Sequence, residues 1–137
     1  MAAYCTVQDL IDRYGQTEIM EITDRDQTGA VDETVAGRAI DDASAEVDGY
    51  IGSRYDLPLA SPPAVLTRIT ADIARYRLYD NMATEEVRKR YEDALRFLKS
   101  VGKAEISLGA AEPPASTGSP MVDRGRRLFD DDGLEGF

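Results

Sequence analysis

Residues 24–53 read DRDQTGAVDETVAGRAIDDASAEVDGYIGS, and the reading of the first twelve decides the fold. Asp24, Asp26, Thr28, Gly29 and Asp32 stand at the first, third, fifth, sixth and ninth places of a calcium-loop signature. Such a loop ends on a bidentate Glu at its twelfth place, and here that place is Val35, which has no oxygen to offer. Glu33 comes two positions too early to replace it, and the preceding EIMEIT is short for an entering helix. A turn explains the same letters. Asp and Thr side chains bond nearby backbone, Gly29 permits an otherwise costly angle, and Asp32 caps a helix with Glu33 in its first turn.

The helix so started runs from about 33 to 53. Ala36, Ile40, Ala43, Val47, Tyr50 and Ile51 recur at helical spacing, opposite Asp41, Asp42 and Asp48. Upstream, TVQDLIDRYG offers Thr6 as N-cap and Asp9 to close a capping box. Val7, Leu10, Ile11 and Tyr14 lie on one side, and Gly15 is a stop. TEIMEITD follows as a short helix or turn. Downstream, a third helix is expected from Pro63 or Ala64, with Leu66, Ile69, Ile73 and Tyr76 as its stripe and Tyr79 alongside. Asn81–Ala83 breaks it. Thr84 caps a fourth, whose core face is Val87, Tyr91, Ala94, Leu95, Leu98 and Val101, closed by Gly102. The expected fold is all-α: three long helices and one short N-terminal helix over residues 1–110. KAEISLG, 103–109, reads either as a docked extended segment or as a strand completed by another subunit.

Beyond this, EPPASTGSP reads as a flexible linker. The terminal MVDRGRRLFDDDGLEGF returns to apolar residues, including two of the chain's three phenylalanines. Residues 111–137 thus read as a linker and docking tail, with Leu128, Phe129, Leu134 and Phe137 as candidate partner contacts.

The net charge of −10 is unevenly placed. Residues 1–60 carry 13 acids against 4 bases, whereas residues 61–110 carry 7 against 9. That balance argues against nonspecific DNA binding, since it offers phosphate few cations and much repulsion. No apolar run reaches the roughly 18 residues of a membrane span, and MAAYCTVQDL lacks the pattern of a signal peptide.

Catalytic candidates are few. Histidine is absent, so Cys5 has no such base to activate it. The adjacent pairs Asp41–Asp42 and Glu85–Glu86 diverge around their helices. No catalytic, cofactor or metal residue is expected. Arg54, at the end of the second long helix, is placed to bind terminal carbonyls, to pair with an acid on a neighbouring element, or to meet another subunit. Tyr55 and Leu57 are expected to fold back onto the bundle.

The run AIDDASAEVDGYIGSRYDLPL, preceded by TGAVDETV and followed by a proline pair and two helices, resembles the small head–tail joining proteins of Mu-like phages and prophages. The likeness extends from YCTVQDLIDRYG to the terminal GF and is most specific around Arg54–Leu59. It implies a non-enzymatic adaptor without a cofactor. The implied assembly is a homo-oligomeric, dodecameric ring between the capsid portal and a tail or stopper protein, surrounding DNA without binding it specifically. The implied location is the virion neck, after synthesis in the host cytoplasm, with no membrane contact. Arg54, Tyr55 and the four apolar tail residues are then candidate partner contacts. The other class left open is a small cytosolic helical binding or regulatory module with weak calcium binding at residues 24–33.

The missing oxygen at Val35 makes folding independent of calcium. Thermal midpoints in millimolar calcium and in chelator are expected to agree within about 5 °C, and a larger stabilising shift would restore the ion-loop reading.

Overall fold

Gly15 adopts a φ of +95°, a left-handed setting that turns the chain sharply between two short helices. A computed structural model describes residues 3–109. Around that corner stand α1 (Val7–Tyr14) and α2 (Gln16–Thr23); α3 (Glu33–Ile51), α4 (Ala64–Tyr79) and α5 (Glu85–Gly102) follow, with a 3-10 turn at Asp80–Met82. The described residues are helical and contain no strand. The expected three long helices are present, but two short helices precede them instead of one. The TEIMEITD stretch is a full helix because Ile19 and Thr23 are completely buried against its neighbours.

The caps form as their side chains dictate. Asp9 N–H donates to Thr6 Oγ1 (3.1 Å) and Thr6 N–H donates to Asp9 Oδ2 (2.8 Å), closing the capping box. Asp32 accepts from Thr34 N–H (3.0 Å) and Val35 N–H (3.2 Å), starting α3 where expected. Thr84 accepts from Val87 N–H (3.3 Å) at the start of α5. Asp24 turns its carboxylate inward on its own loop: Thr28 N–H and Gly29 N–H each donate to it at 2.7 Å. These two backbone donors hold the Asp24 carboxyl below its usual range.

The helix α4 touches every other helix and runs antiparallel to α3 and α5. Its burial is correspondingly wide. Leu66, Ile69, Ala71, Ile73, Ala74 and Leu78 are buried, whereas Tyr76, expected on the stripe, and Tyr79, expected alongside it, are half-buried. Tyr76 instead stacks on Tyr91 of α5, ring centroids 4.0 Å apart and planes 3° from parallel. Ala36, Ala39 and Ala43 keep α3 close to its neighbours. At the far end Gly102 matters sterically: a Cβ there would sit 2.9 Å from the Tyr50 carbonyl oxygen of α3. None of the described helices is long and apolar enough to cross a membrane.

Ile73 is fully enclosed in α4. Ile73→Ala is expected to cost about 2–5 kcal/mol by removing packed methyl groups from a core that cannot collapse around the gap. Urea unfolding measures it; a change under about 1 kcal/mol would show that the α4 face is not the centre of the core.

Candidate partner-binding surfaces

Two of the buried polar residues, Arg75 and Asp72, belong to one network. Arg75 on α4 is 8% exposed and meets Glu18 of α2 through two bonds, Nε to Oε2 at 2.6 Å and Nη2 to Oε1 at 3.1 Å. Its guanidinium lies over the Tyr14 ring of α1, 4.3 Å from the centroid. The Tyr14 hydroxyl in turn donates to Asp72 Oδ1 (2.5 Å), one turn back along α4. Burial, then the bond to Asp72, raises the Tyr14 pKa above the usual tyrosine range. Burial alone would lower that of Arg75, but the Glu18 bonds outweigh it and the net shift is upward. Thus α1 and α2 are fixed to α4 by charge as well as by packing.

Two further ties join distant segments. Tyr4 N–H donates to Ser44 Oγ (3.3 Å), its hydroxyl donates to Asp48, and its carbonyl accepts from Thr67 Oγ1 (2.9 Å). The N-terminal segment is therefore wedged between α3 and α4. Glu46 of α3 binds Arg77 of α4 and accepts from the Tyr91 hydroxyl of α5 at 3.4 Å.

Arg54 and Tyr55 lie at the C-terminal ends of α3 and α5. Arg54 Nη1 donates to the carbonyls of Val101 (3.0 Å) and Ile106 (3.3 Å), so it closes the end of α5. Tyr55 is 2% exposed, and its hydroxyl accepts from Leu108 N–H at 3.0 Å. Residues 103–109 are consequently docked as an irregular turn, not a strand, with Leu108 buried. Leu57 lies over Gly52 at the end of α3 but remains 37% exposed. Leu128, Phe129, Leu134 and Phe137 lie outside the described residues.

Cys5 is buried, and burial, with Asp9 adding to it, pushes its thiol up to about 12, which keeps it protonated and unreactive. Asp41, Asp42, Glu85 and Glu86 are exposed on separate helix faces. Among the described residues no three His, Cys, Asp or Glu side chains group as metal ligands. The Arg75 network was not legible as a site in the sequence. Its signal is RITADIARYRLY, where charged residues interrupt a helix too apolar to have a free face.

What the molecule presents is therefore a small helical bundle whose buried charges are paired and among whose described residues no metal-ligand cluster stands. The family model described as "Bacteriophage Mu, Gp36" matches residues 4–124. The chain is 41% identical over 112 residues to "Mu-like prophage FluMu protein gp36" of Haemophilus influenzae, covering 82% of this chain and 79% of that protein. It is 35% identical over 123 residues to "Gene product J" of Escherichia phage Mu, covering 87% and 86% respectively. The chain belongs to the Bacteriophage Mu Gp36 family. It is a structural head–tail connector of the virion neck.

Glu18→Ala is expected to cost about 3 kcal/mol, because it strands the Arg75 guanidinium in the interior. Glu18 is itself partly exposed, which holds the figure at the low end for a buried pair. Chemical denaturation measures it, and a loss below about 1 kcal/mol would mean that solvent reaches Arg75.

Proposed function

We propose that this connector works as one copy of a homo-oligomeric ring, dodecameric by its resemblance, set between the capsid portal and a tail or stopper protein. The ring gives DNA a passage without binding it specifically. Membership of the Gp36 family over residues 4–124 carries the reading. The charge distribution supports the passage: with α3 turned toward the channel, Asp41 and Asp42 would repel the phosphate backbone and let it slide.

In this reading residues 1–110 are the adaptor domain and residues 111–137 the linker and docking tail. Leu128, Phe129, Leu134 and Phe137 bury against the portal or a sister subunit, each contributing about 1.5–3 kcal/mol, less the cost of ordering the peptide. Arg54 and Tyr55 act at a partner surface by holding the 103–109 turn in a fixed shape. Ties such as Tyr4 to Ser44 and Tyr55 to Leu108 join distant parts of residues 3–109, which supports treating that stretch as one body.

Deleting residues 120–137 is expected to leave the helical circular-dichroism signal and the monomer melting almost unchanged while strongly weakening ring or portal assembly. A fall in monomer stability would mean that the tail completes the protomer's own core. Unchanged assembly would remove its docking role.

A further inference from the structure

The two ends of the bundle are unlike in charge and alike in carrying exposed apolar side chains. At one end lie the start of α3, the end of α4 and the start of α5. Residues 21–33 and 80–86 there hold eight carboxylates, of which Glu85 and Glu86 are paired with Arg88 and Arg90, and Arg25, Arg38 and Arg77 stand near the other six. Met82, at this end, is 79% exposed, the largest exposure of any big apolar side chain among the described residues. It borders a hollow of about 430 Å³ lined also by Ile22, Arg25, Leu78, Tyr79 and Asp80. At the other end, residues 52–63 and 99–108 hold two carboxylates against Arg54, Lys99 and Lys103. Leu57 and Ile106 stand out there, 37% and 39% exposed.

Each end thus supplies what the other lacks: an acidic rim around a hollow at one, apolar knobs beside cations at the other. The 19 residues of α3 separate them by roughly 28 Å, so one rigid bundle cannot bring its own ends together. A second copy can. Contact between different faces of identical subunits propagates head to tail, and it closes into a ring when the rotation per step allows. Matching of opposite potentials would set the direction of approach.

We propose that successive copies join head to tail, with the Leu57–Ile106 end of one seated in the Met82-bordered hollow of the next. The proposal rests on the ring reading above and names its interface. Arg54 then acts at one remove, by fixing the Ile106 turn through its bond to the Ile106 carbonyl.

The test uses full-length Met82→Cys and Ile106→Cys chains, mixed in the presence of portal protein and treated with a short bis-maleimide. Cys5 is buried and does not compete. Mixed variants are expected to give a cross-linked pair, each variant alone little product, and the doubly substituted chain a ladder of multimers. Yield is expected to fall several-fold from low to high salt, as exposed opposite charges are screened. If the protein assembles but the 82–106 cross-link is missing, or if either single variant links to itself, the head-to-tail interface is wrong and the ring reading stands. Absence of assembly at any concentration, with or without portal protein, would overturn both.

Discussion

Arg75 carries a permanent charge in the helix that every other helix touches, and that charge has to be satisfied where it stands. Water does not reach it freely, since the residue is 8% exposed. A lone buried guanidinium would be strongly destabilising, whereas a bidentate carboxylate and an aromatic face offset the desolvation. Glu18 provides the carboxylate and Tyr14 the face, and they come from α2 and α1 respectively. The Gly15 corner is what brings those two short helices onto one side of α4. If α1 and α2 left α4, they would leave Arg75 without either partner. The short N-terminal helices, which would be marginal alone, are therefore held as firmly as the long ones.

This dependence explains what was and was not legible in the sequence. Caps are local, so Thr6 with Asp9, Asp32 and Thr84 could be read from a few letters each, and the starts of α1, α3 and α5 fell where those letters put them. The alanine-rich stripe of α3 was legible because one face alone is buried. In α4 the periodicity misled: a helix enclosed on most sides has no single stripe, so Leu78 is buried where Tyr76, with Tyr79 alongside, was expected. The α2 helix was ambiguous because its eight residues make barely two turns and its capping residue, Gly15, makes no side-chain bond. Arg54 was singled out correctly as a helix-end residue, yet the carbonyls it binds belong to α5 and to the turn after it, a tertiary fact that no local pattern encodes.

The apparent calcium loop shows how one set of letters serves two ends. Asp24 directs its oxygens at the loop's own N–H groups, and Asp32 directs one at α3. A carboxylate committed to backbone donors is held ionised without a metal, which is why acidic residues collect in turns that bind nothing. The same economy leaves the loop strongly negative. Its charges sit at the end where the N-termini of α3 and α5 favour them.

That placement links stability to assembly. Carboxylates at the starts of α3 and α5 and Lys99 at the end of α5 are each locally favourable, and because α3 and α5 run parallel they fall at opposite ends of the bundle. The protomer therefore acquires an axial charge asymmetry as a by-product of capping its helices well. A symmetric two-fold contact would bring like ends together and waste that asymmetry. A head-to-tail contact uses it, because every junction sets an acidic end against a less acidic, lysine-bearing one. The polarity that stabilises each helix separately is thus of the kind that gives a chain of subunits its direction, and a closed ring of such subunits needs no additional device to keep them facing the same way.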